Sequence, residues 1–196
     1  PNGVRNYGVG IANDAAFAQL EFSPSDKVRV VAGGRYDSIR YDFKNNLTPG
    51  ANFGAPNEVR HFGKFSPKLG ATYALSASSS LYSNLSMGFT PPEVSQLYSR
   101  TAIPELNPAT YDNIEIGWRA LLASGIRVDS ALYQLSGKDT IVSYTPEVGN
   151  SFNKNAGDTR SRGIELGLNQ QWRSWDWRMG STWAEHTYVN YRLSDA

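Results

Sequence analysis

The side chains that could perform chemistry directly are few, and their spacing matches no catalytic or metal-binding pattern. The two histidines, His61 and His186, are far apart in the sequence, and cysteine is absent, so no thiolate metal site or disulfide framework is available. Serine is abundant, yet no serine lies in a nucleophile-elbow context with a base beside it. Gly33-Gly34 is not followed by a helix, as a phosphate-binding loop requires. The sequence therefore predicts no enzyme, no metal site and no cofactor.

The charge balance argues against a nucleic-acid partner. The chain has 19 lysine and arginine residues against 18 aspartate and glutamate residues, and the basic residues are scattered singly rather than grouped in a patch. No apolar run approaches the roughly 18 residues that a transmembrane helix needs. The mean hydropathy of −0.46 still permits a membrane β-barrel, because only alternate residues of each strand face lipid in that architecture.

Alternation of apolar and polar residues predicts that the chain consists of β-strands. In the segment from Lys64 to Phe89, apolar side chains occupy every second position on both sides of a small serine turn at 76–80. Such a period of two places the apolar residues of a hairpin on one face and the polar residues on the other. The apolar face must therefore contact either a protein core or lipid.

About eight strands follow from this alternation and from the turn residues between them. The predicted strands are Asp14 to Phe22, Lys27 to Phe43, the two halves of the hairpin from Lys64 to Phe89, Thr110 to Leu122, Ile126 to Tyr144, Thr159 to Trp172, and a last strand starting at Trp175. We predict that Ser136 to Asp139 interrupts the sixth strand as a bulge. Pro67 is expected at a bulge or at the point where its strand leaves the membrane, since a proline removes a donor from the ladder.

The connections between these strands alternate in length. Short turns are predicted near residues 24, 78, 124 and 174, and long loops at 44–61, 91–109 and 145–158. An up-and-down barrel in an outer membrane has this arrangement, with short periplasmic turns and long extracellular loops. The predicted strands also exceed the 5–6 residues typical of soluble proteins. We therefore predict an all-β, antiparallel up-and-down transmembrane β-barrel segment.

Aromatic residues near the short turns support a lipid-facing surface. Tyr73, Trp172, Trp175 and Trp177 lie close to predicted turns, where an interfacial aromatic girdle belongs. The alternative is that these side chains fill a soluble core beneath the turns. Two further alternatives for the whole chain stay open, a passive porin-type or structural outer-membrane barrel and a soluble carbohydrate-binding β-sandwich.

Six blocks of the sequence carry a recognisable pattern. They are "FSPKLGATY", "LYSNLSMGF", "TPPEVSQLY", "TYDNIEIGWR", "VDSALYQLSGKDTIVSY" and "NAGDTRSRGIELGLNQQW". Together they resemble the barrel of TonB-dependent outer-membrane receptors. Their order and spacing match the middle-to-late part of the family's barrel, from about Asp14 to Trp172. Ala109 stands where the family typically has a glutamate.

This resemblance implies energy-coupled uptake of a ferric siderophore or similar chelate in the outer membrane of a Gram-negative bacterium. The implied partners are the ligand, membrane lipid, and the TonB complex through parts of the receptor that this chain lacks. In the family, aromatic and arginine side chains of extracellular loops hold the ligand by stacking and charge-assisted hydrogen bonds. The corresponding candidates are Phe53, Arg60, His61, Tyr98, Arg100, Tyr144 and Phe152.

The resemblance also implies that residues 1–196 are one partial barrel domain of a larger receptor, without its plug domain. The family's barrel has about 22 strands around an N-terminal plug, and this chain supplies about eight. Four charged residues are expected to face the barrel interior, namely Arg29, Arg35, Glu165 and Arg178. They could guide an anion, but we expect them mainly to form ion pairs across strands or with the plug.

Overall fold

The structure, a computed structural model, describes residues 5–50, 53–147 and 150–191. These residues form eight strands and one short helix, which are β1 (Tyr7–Ser25), β2 (Val28–Asn45), β3 (Glu58–Ser76), β4 (Ser79–Thr90), α1 (Val94–Tyr98), β5 (Ala109–Leu121), β6 (Arg127–Glu147), β7 (Asn150–Trp172) and β8 (Trp175–Tyr191). None of the helices in this described part is long and apolar enough to cross a membrane.

The eight strands form a single antiparallel sheet in which each strand pairs with its neighbours in sequence, from β1 through to β8. The predicted up-and-down order is therefore confirmed. A β-sandwich is wrong, because it requires two packed sheets with Greek-key connections, and the described residues contain one sheet. Within them β1 and β8 do not pair, so the sheet is open at both edges.

The strands extend further than predicted at the end opposite the short turns. β1 begins at Tyr7, where Tyr7, Val9 and Ile11 alternate with glycine and alanine. β3 begins at Glu58, in a segment that is mostly polar. The predicted loop at 145–158 is wrong, because β6 and β7 remain paired up to Glu147 and Asn150. Main-chain hydrogen bonds form the ladder whatever the side chains are. Alternation of apolar and polar residues therefore does not detect polar strand segments of this kind.

The irregular segment of β6 is the bulge that the sequence predicts. Gly137 pairs with Thr159 and Thr140 with Gly157, so the two residues between Gly137 and Thr140 oppose a single residue of β7. Asp139 adopts a left-handed conformation with φ of 56°. Beyond this bulge the hairpin of β6 and β7 continues away from the regular part of the sheet.

The register of the ladders sorts side chains onto two faces. Leu20, Ala32, Leu69, Leu85 and Ile114 are successive cross-strand partners on one face, which we call the outer face. The opposite face, which we call the inner face, carries most of the charged side chains. The large apolar residues of the outer face are exposed, with 79% of the Trp183 side chain accessible.

The apolar surface of the outer face ends at a similar height on six strands. Counted from the short turns, its last members are Ala16, Tyr36, Ile114, Leu132, Ile164 and Trp183. The next outer-face positions are all polar, namely Asp14, Ser38, Asp112, Gln134, Arg162 and Glu185. Counted to the strand ends at the short turns, the apolar band thus occupies 6 to 10 residues of each of these strands, with 9 in β2, β7 and β8. A tilted strand needs about 9–11 residues to cross a bilayer.

The aromatic residues near the short turns belong to this band. Trp172 and Trp175 are direct partners across the turn between β7 and β8, and they are 58% and 70% exposed. Tyr73 and Trp177 are exposed on the same face. A soluble core beneath the turns is therefore wrong for these four side chains.

Pro67 lies where the ladder between β3 and β4 ends. Pairing with β4 runs from Ser76 only as far as Lys68, and Pro67 is the next residue of β3. On its other side Pro67 pairs with Gly34 without a shift of register. Pro67 is therefore not at a bulge. Its missing N–H falls where β3 separates from β4, so β4 loses no partner.

Aromatic rings cover glycines of the neighbouring strand on the inner face. The ring of Tyr82 occupies the position that a Cβ at Gly117 would take, and Tyr133 covers Gly163 in the same way. The Arg119 guanidinium lies 4.1 Å from the centroid of the Tyr82 ring and donates to Asp129 at 2.9 Å. Gly117 is therefore required for the packing of this group.

Replacing Gly117 with alanine should destabilise the folded protein by about 1–3 kcal/mol, since the new methyl group displaces the Tyr82 ring. Unfolding followed by tryptophan fluorescence would measure the loss. Gly167→Ala is the matched control on the same face, because its Cβ would lie no closer than 3.7 Å to the nearest atom, the Asp129 main-chain oxygen. Equal losses in the two variants would contradict this account of Gly117.

Candidate functional site

The long connection between β4 and β5, residues 91–108, folds against the inner face instead of extending from the sheet. Its helix α1 packs Leu97 and Tyr98 onto β2 and β3, where Phe43 and Phe62 are buried. The Tyr98 ring stacks on Phe43 with centroids 4.2 Å apart. This apolar cluster is the main core of the described residues, and we call it the loop core. Its buried members are Ile39, Tyr41, Phe43, Ala55, Phe62, Leu97, Tyr98 and Leu106.

Polar contacts hold the same connection from both sides. On the β3 side, Arg60 Nη1 donates to the Pro104 carbonyl at 3.0 Å, and Nη2 of the same side chain donates to Glu58 at 3.0 Å. On the β7 side, Asn153 donates to the Gln96 carbonyl at 2.8 Å. The connection at 91–108 is thus fixed between two parts of the wall.

A pair of asparagines completes this attachment. The Asn107 main-chain N–H donates to the Asn155 side-chain oxygen at 2.8 Å, and the Asn155 amide donates back to the Asn107 carbonyl at 2.9 Å. The same amide group also donates to the Asp139 carbonyl beside the bulge at 2.6 Å. Sequence reasoning missed Asn153 and Asn155, because an asparagine in a polar strand carries no signal of its partner.

Three of the predicted ligand-binding side chains meet at the long-loop end of the structure. The Arg100 guanidinium lies 5.5 Å from the centroid of the Phe152 ring, and the Tyr144 ring centroid lies 5.9 Å from that of Phe152. Phe152 is 43% exposed. We call Arg100, Tyr144 and Phe152 the rim cluster. It presents a cation and two aromatic rings at one place, which suits a planar or anionic ligand.

The other four candidates lie elsewhere. Tyr98 is 3% exposed in the loop core, and Arg60 is occupied by its bonds to Pro104 and Glu58. His61 was expected in a loop, but it lies in β3 and, by alternation with the buried Phe62, faces the outer side. Phe53 is exposed in the connection between β2 and β3. Contact with a ligand stays a prediction for all seven.

The Tyr98 hydroxyl faces an acid in the loop core. Burial, together with the neighbouring Glu58 carboxylate, raises the pKa of Tyr98 above its usual value near 10. The hydroxyl and Glu58 Oε2 are both buried and make no hydrogen bond of standard geometry. Since ionised Tyr98 would place a second negative charge beside Glu58, the loop core requires the neutral phenol.

Most charged residues of the inner face are paired, but of the four named in the prediction only Arg29 forms an ion pair across strands in the part of the chain that the structure describes. Arg29 forms an ion pair with Glu21 of β1. Arg35 and Arg178 instead pair within their own strands, with Asp37 at 2.7 Å and Asp176 at 3.3 Å. Strand neighbours two positions apart share a face, which makes such pairs possible. In the described residues, no group of three or more histidine, aspartate or glutamate side chains is placed to bind a metal.

Comparisons with known proteins agree with this architecture. The family described as TonB dependent receptor-like, beta-barrel matches residues 1–196. A "Ferric-pyoverdine 358 receptor" of Pseudomonas putida is 24% identical over 143 residues, which cover 72% of this chain and 17% of that protein.

Two solved structures share the fold. The siderophore receptor PiuA of Acinetobacter baumannii has a TM-score of 0.76 at 16% identity, over 94% of this chain and 27% of that one. The ferric-catecholate import receptor Fiu of K12 E. coli has a TM-score of 0.76 at 15% identity, over 95% of this chain and 29% of that one. The present chain therefore spans less than a third of the length of each of these proteins.

Truncating Tyr98 to alanine should release the 91–108 connection, because the stack on Phe43 is lost from a buried site, and such a loss typically costs about 3–5 kcal/mol. Limited trypsin digestion checks this, since Arg100 then becomes a faster cleavage site. Phe53→Ala is the control, because that aromatic side chain is exposed. Unchanged cleavage after Arg100 in the Tyr98 variant would show that the loop core does not hold the connection.

The raised pKa of Tyr98 also predicts a dependence of stability on pH. The folded state favours neutral Tyr98, so its contribution is fully present below the unfolded pKa near 10 and is lost as the pH rises further. The free energy of unfolding should therefore fall more steeply above pH 10 in the wild type than in Tyr98→Phe. Denaturant titrations at pH 8 and pH 10.5 measure this difference, and parallel losses in the two proteins would argue against it.

Proposed function

This chain belongs to the TonB-dependent receptor-like β-barrel family, and we propose that it forms part of the wall of an outer-membrane receptor that takes up a ferric siderophore or similar iron chelate. The relatives named above include receptors for ferric pyoverdine and for siderophores. The observation that carries the proposal is the division of one sheet into an outer face with an apolar band and an inner face that holds folded loops.

The outer face supports a position in a membrane. Exposed apolar residues such as Ile116, Leu132 and Trp183 would form a continuous apolar patch in water, and a patch of that extent marks contact with a partner or with lipid. The band covers 9 residues of β2, β7 and β8, which is close to the length of strand that crosses the hydrocarbon layer at a tilt. The exposed tryptophans next to the short turns then lie at the periplasmic interface.

The inner face supports capture of a ligand from outside. The 91–108 connection folds inward and is fixed to β3 and β7, so it narrows the outer mouth of the barrel. The rim cluster of Arg100, Tyr144 and Phe152 lies beside this connection. We propose that this cluster contacts the chelate, with Phe53 as a further contact. Arg60 and Tyr98 also hold the connection in place.

Energy coupling through TonB belongs to the same proposal. In this family's mechanism, a plug inside the barrel rearranges when energy arrives from the inner membrane, and the ligand then passes. The groups that perform this coupling are not among the described residues, which supply barrel wall and loops. The paired charges of the inner face, such as Arg29 with Glu21, then line the route.

A transport assay tests the function directly. A strain that lacks the protein should lose uptake of at least one complex from a panel of ⁵⁵Fe-labelled catecholate, hydroxamate and pyoverdine chelates. A strain that lacks TonB should lose the same uptake. Labelled cobalamin, an oligosaccharide and copper serve as competing substrates. Uptake that survives the loss of TonB would favour the passive porin-type barrel. If the protein transports only one of the competing substrates, that substrate takes the place of the iron chelate in the proposed function.

Replacing Arg100 or Phe152 with alanine should weaken binding of the transported complex about 5- to 30-fold, as expected when a contact of about 1–2 kcal/mol is removed. Binding to whole cells, measured with the labelled complex, gives the affinity. Arg40→Ala is the control, because Arg40 lies on the outer face near Asp42 and away from the rim cluster. If both rim variants bind the complex with wild-type affinity, the rim cluster is not part of the binding site.

A further inference from the structure

Two lysines of β3 lie on the inner face below the loop core. Lys64 follows the buried Phe62 by two positions and Lys68 follows Lys64 by four, so strand alternation places all three side chains on one face. Ser66 lies between the two lysines on that face. Four strand positions span about 13 Å, and lysine side chains are long enough for both to reach one anion above Ser66.

Neither lysine forms an ion pair in the part of the chain that the structure describes, whereas most inner-face arginines do. Lys64 is the cross-strand partner of Asp37, but the Asp37 carboxylate accepts hydrogen bonds from Arg35 at 2.7 and 2.8 Å. Lys68 is the cross-strand partner of Gly33, and its Cε lies over that glycine. Both ammonium groups therefore keep their donors for another group.

The next carboxylates of this face are distant or already engaged. Glu21 and Glu115 each lie two strands from β3 and one step nearer the short turns than Lys68. Glu21 also forms an ion pair with Arg29. Above the lysines, Glu93 accepts a hydrogen bond within its own helix turn. Among the described side chains, no carboxylate thus neutralises the two lysines by direct contact.

An exposed aromatic ring lies at the same height. Phe17 of β1 is the cross-strand partner of Arg35, and Arg35 is in turn the partner of Ser66. Phe17 is 78% exposed. We call Phe17, Lys64, Ser66 and Lys68 the lower cluster. It combines cations, a hydroxyl group and an aromatic ring, a set that suits an anion with aromatic groups.

The lower cluster and the rim cluster lie at different depths of the inner face. The register carries the level of Lys68 across the sheet to Ser161 of β7. Phe152 of the rim cluster lies further along β7, beyond the bulge and nearer the outer mouth. A chelate held at the rim cluster therefore meets the two lysines only after it has passed the 91–108 connection.

We propose that the lower cluster is a second contact site for the chelate during its passage, and that the transported chelate is anionic. This inference rests on the proposed function and adds the substrate class to it. Two ammonium groups on one wall stabilise a negatively charged complex, such as an iron tris-catecholate, by charge-assisted hydrogen bonds. Because these contacts form only during passage, they raise the rate of uptake and leave the affinity of capture unchanged.

Uptake by cells that express the full-length receptor tests this inference. The probes are an ⁵⁵Fe tris-catecholate, which is anionic, and an ⁵⁵Fe tris-hydroxamate, which is neutral. The wild type should transport the anionic complex. At saturating concentration, the variant K64Q/K68Q should take it up about three- to tenfold more slowly, as expected for the loss of two exposed charged contacts. Binding of the same complex to energy-depleted cells should keep its wild-type affinity.

Two further variants serve as controls. K64R/K68R keeps both charges and should restore most of the uptake. K44Q removes an outer-face lysine, since Lys44 follows the buried Phe43 of the loop core, and should leave uptake unchanged. Transport of the neutral complex alone would overturn the inference. Wild-type uptake of the anionic complex by K64Q/K68Q would also overturn it.

An acidic side chain of the plug is the other source of an anion for these lysines. In that case K64Q/K68Q would loosen the plug and make the cells sensitive to vancomycin, which is too large to cross an intact outer membrane. Any transported complex would then be slowed equally, whatever its charge. That combination would assign the lysines to the plug and overturn the inference.

The two proposals fail in different ways. If loss of the receptor leaves uptake of every labelled iron complex unchanged, the proposed function fails and this inference fails with it. If the receptor transports the anionic complex with the help of TonB, while K64Q/K68Q and wild type take it up at the same rate, only the inference fails.

Discussion

The antiparallel ladder, kept in register across eight strands, is the constraint on which the rest of this structure depends. Each ladder pairs main-chain donors with acceptors, so the backbone needs no water on either face of the sheet. Because every strand alternates with a period of two, a shift of one residue in any register would exchange its two faces. The same ladder that satisfies the backbone therefore gathers Leu69, Leu85 and Ile114 on one surface.

The second level of organisation is the packing of one connection onto the polar side of the wall. Aromatic residues of β2 and β3 alternate toward the inner face at the height where the outer face becomes polar. Leu97, Tyr98 and Leu106 bury against them. The core of this protein is thus small and lies near the loops, whereas the largest apolar surface faces outward. A soluble domain has the opposite distribution.

The charged side chains are also distributed according to the face of the sheet and to their position relative to the apolar band. Inner-face arginines such as Arg35 and Arg119 have carboxylates at hydrogen-bonding distance, which neutralises a wall that faces water and ligand. On the outer face, charge begins only above the apolar band. Exposed ion pairs of this kind add little stability, so their arrangement is better understood as setting the surface that a ligand or a lipid meets.

The sequence by itself determined the strand character, the four short turns, the long connections before β3 and β5, the bulge near Asp139 and the two-faced hairpin, because these follow from local alternation and turn chemistry. It did not determine where the polar strand ends of β3 and β7 lie, since main-chain pairing leaves no side-chain pattern. Only the tertiary structure decided that Tyr98 is buried, that His61 faces outward and that Arg100 meets Phe152. Those outcomes depend on contacts between residues far apart in the chain, which local periodicity cannot encode.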